Sequence, residues 1–379
     1  MNNLPPLPLT DGWLFIDNST LDILTTCPRA FEYFFFHNKI ASGERSALNF
    51  GSGMHLALEN FYRTGLEKDS NLSPYQAGLN ALTEHFTLHP QAEDEYRSLD
   101  LATKMFDFYT SKYLSEDFEI CVLANGKPCI ETTFSLPLFD DYGLPKRFFF
   151  TDSSGQTHSF CVMYTGKIDL IVKKNLQIFT LDHKTAFQFG QTFWQEQQMS
   201  AQHVGYCDSA DKILNLTTSG YIVNGMRTRK LGGKTHPLPY DEDFERNIYY
   251  LTPERKKEWR NNLIHLIHEL CDNVSRDYLP MKTKWCVGKY GPCPYFDICS
   301  LPNPIERKLV LESGLYRDND WSPLKQVKQE TLDKLKTFIT SVEDLAHGVM
   351  IHAGVETVTE LVNAAEQLKL ALENEKDVY

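Results

Sequence analysis

Two aspartates and one lysine fall within a short stretch, Tyr164 to Thr185, that has the pattern of a β-hairpin. Apolar side chains alternate along its first arm, and Lys173-Lys174-Asn175 supplies a polar turn before a second β-rich arm. Asp169 lies on the first arm and Asp182 on the second. Lys184 points to the same face as Asp182, because the side chains of a strand repeat every two residues. The pattern therefore predicts two carboxylates and one ammonium group on one face.

The register of this hairpin decides how closely the two carboxylates approach each other. We expect a two-residue turn in which Lys173 faces Leu176. Asp169 then falls opposite Thr180, and Asp182 sits one pleat further along the same face. Diagonal neighbours of this kind lie about 7–8 Å apart between Cα atoms, within reach of one shared cation.

These side chains suit metal-assisted hydrolysis. Two carboxylates, with a backbone carbonyl such as that of His183, form a hard oxygen site for Mg²⁺ or Mn²⁺. Such an ion lowers the pKa of a bound water and stabilises the charge that develops on a phosphodiester, while Lys184 orients the water or neutralises the same charge. The alternative is that these residues form the solvated face of a half-exposed hairpin, where most Asp and Lys residues of strands lie.

A second group of metal-binding residues lies further along the chain. Cys286, Cys293 and Cys299 occur in one compact loop that is rich in glycine, proline and aromatic residues. A tetrahedral metal site or a cubane iron–sulfur cluster needs a fourth ligand, for which Cys27 is the candidate. Zinc is the main rival, but its cysteine ligands usually come in pairs roughly two to four residues apart. Buried free thiols are the remaining alternative.

The bulk properties exclude several classes of protein. With 379 residues, 42% of them hydrophobic, the chain can bury a sizeable core. A formal net charge of −12 argues against a globally basic nucleic-acid binder, although it allows a nucleic-acid enzyme with a basic groove. We expect a cytoplasmic protein without membrane contact. No apolar run approaches the roughly 18 residues of a membrane span, and residues 1–10 lack the basic head and apolar core of a signal sequence. Nine cysteines without a secretion signal argue against a disulfide framework.

The remaining segments predict the elements that position these residues. Strands between Ile120 and Phe160 would extend the sheet that contains the hairpin, and Phe244–Tyr250 forms a further strand. Helices are predicted over 17–29, over 73–114 as a pair, over 192–214 and over 253–278. The chain is therefore expected to be an α/β protein.

The hairpin resembles the catalytic core of the PD-(D/E)XK nuclease superfamily. The matching residues are Gly166-Lys167-Ile168-Asp169 and Asp182-His183-Lys184-Thr185. Ahead of the hairpin, Phe50-Gly51 followed by His55 and a helix looks like a motif of the RecB-like members. By this resemblance His55 would be an additional metal ligand.

Two further features resemble RecB-like nucleases. Gln202 and Tyr206 are similar to the Gln-x-x-x-Tyr pair that follows the catalytic lysine on a helix. One upstream cysteine with a late three-cysteine cluster resembles the iron–sulfur members, including the AddB nuclease domain and the CRISPR-adaptation nucleases. Two departures are Asp182, where Glu is more usual, and the six residues between Cys286 and Cys293, where related proteins often have two.

The resemblance implies a restriction-endonuclease-like core, in which helices flank a mixed central β-sheet. It implies that Mg²⁺ or Mn²⁺ is held by His55, Asp169, Asp182 and His183, that Lys184 positions the attacking water, and that Gln202 and Tyr206 contact DNA. It also implies a 4Fe-4S cluster on Cys27, Cys286, Cys293 and Cys299. We expect a nuclease domain over residues 1–323 and a helical C-terminal extension over 324–379, which covers the core or binds a partner.

The expected activity is that of a metal-dependent DNA nuclease, and the first choice is an exonuclease on DNA ends or single strands. Recombination, repair or replication is the expected setting, with DNA and a helicase or recombination protein as partners. One alternative is a non-catalytic DNA-binding or scaffold subunit that keeps the fold and the cluster. Another is a CRISPR-adaptation nuclease, which would bind an integrase.

Overall fold

The computed structural model describes residues 4–42, 46–67, 69–90, 96–140, 143–230, 239–288 and 291–320. The predicted helical extension over 324–379 lies outside these residues. No helix within the described ranges is both long and apolar enough to cross a membrane.

Strands occupy twelve segments of the described chain. They are β1 (Trp13–Ile16), β2 (Lys39–Ala41), β3 (Glu119–Ile120), β4 (Ile130–Pro137), β5 (Arg147–Thr151), β6 (Thr157–Lys174), β7 (Gln177–Ala186), β8 (Gly220–Arg227), β9 (Phe244–Tyr250), β10 (Val287–Gly288), β11 (Gly291–Pro292) and β12 (Tyr316–Asp318). The strands predicted between Ile120 and Phe160 and the strand predicted over Phe244–Tyr250 are confirmed.

Ten α-helices are found in the described ranges. They are α1 (Asn18–Thr26), α2 (Pro28–Phe31), α3 (Ser46–Leu66), α4 (Pro74–Leu88), α5 (Leu99–Lys112), α6 (Gln191–Met199), α7 (Ala201–Leu214), α8 (Pro253–Ser275), α9 (Phe296–Ser300) and α10 (Pro304–Leu311). Asp17 caps α1 as its sequence predicts, because its side chain accepts the backbone N–H of Thr20. A π-helix, Glu32–Phe36, carries the aromatic run after α2.

The single helix predicted over 192–214 is wrong, since two helices occupy this segment. Ser200 separates α6 from α7 and has extended dihedral angles, φ −64° and ψ 121°. Gln198 therefore lies on α6, whereas Gln202 and Tyr206 lie on α7. The sequence marks this break only weakly, because serine is common at helix starts but no glycine or proline accompanies Ser200.

The chain folds into two compact units. The first unit comprises the described residues within 1–43, 133–166 and 260–378. In it β1 runs parallel to β6, with Trp13 beside Cys161, and β5 runs antiparallel to β6. A separate antiparallel pair joins β2 to β12. The cysteine-rich segment belongs to this unit.

The second unit comprises the described residues within 44–132 and 167–259. Here β6 pairs antiparallel with β7, β7 runs parallel to β8, and β8 is antiparallel to β9. The buried cluster on this sheet draws on α3, α4 and α5 as well as the strands; its members include Met54, Leu58, Leu82, Phe106, Leu170, Leu181 and Ile222. The expected α/β fold, a mixed central sheet flanked by helices, is confirmed.

The predicted hairpin is confirmed, but its predicted register is wrong by two residues. Lys174 pairs with Gln177, so the turn residues are Asn175 and Leu176. Their φ values of 49° and 64° are both left-handed. This conformation matches the right-handed twist of the two strands, and the backbone therefore turns one residue later than the polar run suggests.

Candidate active site

The corrected register brings Asp169 and Asp182 to neighbouring positions. Each adjoins a member of the Leu170–Leu181 pair, on β6 and β7 respectively. Both carboxylates are buried. Asp169 Oδ2 accepts the backbone N–H of His183 at 2.8 Å, which links the first carboxylate to the second strand. The pairing of the two strands thus places both acids side by side.

His55 reaches Asp169 from helix α3. Its Nδ1 lies 3.3 Å from Asp169 Oδ2, and its Nε2–H donates to the carbonyl oxygen of His183 at 2.8 Å. Gly51 lets this helix come close to the hairpin, since a Cβ atom there would lie 3.3 Å from the hydroxyl oxygen of Thr185. Three elements therefore converge on the Asp169 carboxylate: β6, β7 and α3.

The charges of His55 and Asp169 depend on each other. Burial disfavours the charged imidazole, but the Asp169 carboxylate outweighs it and raises the pKa of His55 to about 9. Burial likewise disfavours the Asp169 carboxylate, yet His55 and the His183 N–H hold its pKa below the ordinary range. A divalent cation between them would take the place of the proton on Nδ1, because a metal binds the neutral imidazole.

Asp182 begins a chain of polar contacts that ends on helix α7. Lys184 Nζ lies 2.8 Å from Asp182 Oδ2 and donates to Gln202 Oε1 at 3.2 Å. Gln202 Nε2 in turn donates to the Tyr206 hydroxyl at 3.2 Å. Burial disfavours the ammonium, but Asp182 more than compensates and raises the pKa of Lys184. The lysine is thus a fixed positive charge beside the carboxylates.

His183 directly follows Asp182, and its backbone N–H bonds the Asp169 carboxylate. Its ring is buried, and its Nδ1 accepts the Asn224 side-chain N–H at 2.7 Å. Burial lowers the pKa of His183 to about 3, so the ring is neutral. The ring of His183 faces Asn224, whereas the backbone carbonyl of His183 accepts a hydrogen bond from His55. The ligand role of that carbonyl stays a prediction.

A buried polar network stands behind His183. Arg246 donates to Asn224 Oδ1 at 2.9 Å, to the Tyr109 hydroxyl at 2.9 Å and to both carboxylate oxygens of Glu116. Its guanidinium also lies 3.6 Å from the ring centre of Tyr113. The sequence analysis missed Asn224 and Arg246, which give no sign in the sequence beyond being polar residues in β-rich segments.

Glu131 is a site residue that the sequence analysis also missed. Among the described His, Cys, Asp and Glu side chains, those of His55, Glu131 and Asp169 have ligand atoms that all lie within 4.8 Å of one another. Glu131 forms an ion pair with Lys167. Burial and then Asp169 raise the pKa of Glu131 to about 7, against the effect of Lys167. The alternation that predicts β4 assigns Glu131 to the polar face and gives no reason to group it with the hairpin.

The four predicted cluster cysteines all lie in the first unit, and three of them pack together. Cys27, Cys293 and Cys299 pack in one apolar cluster with Tyr295. Burial raises the pKa of Cys299 to about 11, with Cys293, Cys27 and Cys286 among the interacting groups. The backbone N–H of Lys282 donates to Cys27 Sγ at 3.4 Å. All nine cysteines are free thiols.

The donor set of the second unit fits a divalent cation. Carboxylates are the preferred ligands of Mg²⁺ and Mn²⁺, and an imidazole is the kind of ligand that favours the transition metal of the two. A fixed ammonium group two residues beyond Asp182 can neutralise negative charge near such an ion. Together these groups can carry out metal-assisted hydrolysis of a charged ester.

One comparison with known proteins, that with family models, agrees with this chemistry. No curated protein matches the sequence. Among solved structures, one titled "Crystal structure of SSO0001" is similar at 9% identity and a TM-score of 0.22, over 59% of this chain and 87% of that chain. The family model of the PD-(D/E)XK nuclease superfamily matches residues 18–300, a span that contains the hairpin, His55 and all four predicted cluster cysteines. The chain therefore belongs to the PD-(D/E)XK nuclease superfamily, a superfamily of metal-dependent nucleases.

Proposed function

We propose that the protein is a metal-dependent deoxyribonuclease that acts as an exonuclease on DNA ends or single strands, in recombination, repair or replication. The observation that carries the proposal is the convergence of His55, Asp169 and the Asp182–Lys184 ion pair at one hairpin. In a purely structural hairpin, nothing requires two buried acids, an imidazole and an ammonium group to meet.

Each side chain has a defined task in this proposal. Asp169, Asp182 and His55 hold Mg²⁺ or Mn²⁺, and the bound ion would supply Lewis-acid stabilisation of the charge that develops on the phosphodiester. Lys184 keeps its proton beside Asp182 and orients the attacking water. Gln202 fixes the lysine from one side and is itself held by Tyr206, so the pair positions Lys184 and offers polar groups to the DNA strand.

The first test is cleavage of end-labelled single-stranded and duplex DNA by the anaerobically purified protein, with Mn²⁺, Mg²⁺ or EDTA. We expect cleavage with Mn²⁺ that equals or exceeds cleavage with Mg²⁺, because of the imidazole ligand, and none with EDTA. The variant Asp169→Asn should lose activity by at least about 10²-fold, since it removes a charge from the cation site.

A circular single strand serves as the matched substrate for the mode of cleavage. An exonuclease leaves it intact while degrading the linear strand of the same sequence, and cutting of the circle would show endonuclease action instead. Binding of DNA by a folded protein that never cleaves it with any divalent cation would reject the enzyme in favour of a non-catalytic binding subunit.

We also propose that Cys27, Cys286, Cys293 and Cys299 hold a 4Fe-4S cluster. What supports it is the gathering of four free thiols in one region, with a backbone N–H directed at one sulfur, a contact typical of cluster sulfurs. The cluster would thereby join two segments that are far apart in the sequence, one at Cys27 and one at Cys286. Its role would be chiefly structural.

Cys293→Ser tests the cluster against its rivals. We expect the anaerobic wild-type protein to be brown with about four irons per chain, and the variant to lose most of that visible absorbance. Cys121→Ser is the matched control, because this thiol lies in the second unit and should leave the absorbance unchanged. A colourless protein that contains one zinc ion per chain would show that these cysteines form a zinc site instead of an iron–sulfur cluster.

A further inference from the structure

We propose that Glu131 is a further ligand of the cation held by His55 and Asp169, and that it exchanges its ion pair with Lys167 for the metal. This inference rests on the proposed function, because it deepens the same metal site. Glu131 belongs to none of the motifs that carry the superfamily resemblance.

Geometry gives the first argument. The ligand atoms of His55, Glu131 and Asp169 lie within 4.8 Å of one another, so one ion can contact all three without movement of the backbone. Asp182, in contrast, holds the Lys184 ammonium at 2.8 Å. As the chain is folded, Glu131 completes the group around His55 and Asp169 more directly than Asp182 does.

Charge gives the second argument. A divalent ion bound by Asp169, Asp182 and neutral His55 would keep a net positive charge in a largely buried site, because the Lys184 ammonium already offsets the charge of Asp182, and such a buried charge is costly. Glu131 supplies a further negative charge, and only 7% of its side chain is exposed. The Lys167 ammonium now balances that charge, and 49% of the Lys167 side chain is exposed. A cation therefore replaces a partner that can move out into water.

The backbone gives a third argument. Glu131 has a φ of 49°, although it lies within strand β4 and is not glycine. Left-handed conformations are uncommon for a residue with a long side chain, and such outliers cluster at functional sites. The flanking residues Ile130 and Thr132 are both buried, which holds this conformation in place. The fold thus fixes Glu131 beside the hairpin, although this requires an unfavourable backbone conformation.

Exchange has a consequence for Lys167. When the cation takes over Glu131, the ammonium loses its partner at the edge of the metal site. A phosphate group is the ligand whose charge suits an exposed ammonium there, so metal loading prepares this edge for the DNA backbone.

The test is a titration of the full-length metal-free protein with Mn²⁺ in the absence of DNA. Binding is measured by calorimetry and by the electron paramagnetic resonance signal of free Mn²⁺. Glu131→Gln should weaken Mn²⁺ binding by about tenfold or more. Glu59→Gln is the matched control, because Glu59 interacts electrostatically with Lys167 but pairs with Arg63 outside the ligand group. It should change the Mn²⁺ affinity by less than about twofold.

Two further variants keep the outcome decisive. Lys167→Met should tighten Mn²⁺ binding, and this gain should vanish in the Glu131→Gln background, since the two effects act through one ion pair. Equal Mn²⁺ affinities of Glu131→Gln and wild type, or an unchanged gain in the double variant, would overturn the inference.

Asp169→Asn separates this inference from the proposed function. If Asp169→Asn loses Mn²⁺ binding while Glu131→Gln keeps it, the proposed metal site is supported and only the role of Glu131 as a ligand is rejected. If Asp169→Asn binds Mn²⁺ as the wild type does, the proposed metal centre itself is wrong.

Discussion

Replacing Lys184 by methionine is expected to slow DNA cleavage by about 10²- to 10³-fold, the range found when one charge-stabilising group is removed from an active site. Methionine keeps most of the length of the side chain but removes the ammonium group. Asp182 then loses its partner at 2.8 Å, so its carboxylate binds the cation without competition from the ammonium. Mn²⁺ binding should therefore be retained or tightened while cleavage is lost, as measured by single-turnover cleavage at saturating Mn²⁺ and by metal titration.

Lys212→Met is a closely matched control for this variant. Lys212 pairs with Asp208 at 2.9 Å, with 35% of the lysine side chain and 5% of the aspartate side chain exposed. The corresponding values for Lys184 and Asp182 are 29% and 5%. Lys212→Met should cleave DNA as the wild type does. Undiminished cleavage by Lys184→Met would remove this lysine from the chemistry, and equal losses in both variants would point to folding instead.

Replacing Arg246 by leucine is expected to lower the free energy of unfolding by about 3–5 kcal/mol, the usual effect of removing one partner of a buried ion pair. The guanidinium meets Glu116, Tyr109 and Asn224. Burial disfavours its charge, but Tyr109 and Glu116 outweigh that effect and raise the pKa of Arg246. Without it the largely buried Glu116 side chain loses its ion-pair partner. Urea-induced unfolding of the metal-free protein measures the difference.

Arg255→Leu tests whether the loss is specific to the buried network. Arg255 pairs with Glu258 on the exposed side of α8, and removing an exposed pair of this kind costs about 0–1 kcal/mol. If both arginine variants lose the same stability, or if Arg246→Leu loses less than about 1 kcal/mol, the network contributes little to the fold.

The elements of the site were largely predictable from the sequence, whereas their exact alignment was not. Alternating apolar residues predict the hairpin because burial of one face imposes a period of two. The register depends on left-handed backbone at Asn175 and Leu176, and leucine gives no signal for that conformation. The predicted diagonal placement of Asp169 and Asp182 was therefore wrong, although both residues were placed on the right strands.

Residues that act through tertiary contacts were not predictable from one sequence. Glu131 and Asn224 contact the hairpin, and Arg246 contacts Asn224, only because β4, β8 and β9 are brought together with it, and none of the three stands in a motif. Their local patterns are those of ordinary strand residues. The cysteine group differs, because three of its members are close in sequence and rare enough to be noticed together.

The two-residue turn at Asn175 and Leu176 also sets an order of assembly. Hairpins with short turns close within about 1–10 μs, so Asp169 and Asp182 become neighbours as soon as the two arms pair. The contact of His183 with Asn224 has to wait for the parallel pairing of β7 with β8, which closes only after the whole α6–α7 connection is in place. The acids are thus expected to meet early in folding, and the groups that lock their orientation are expected to arrive last.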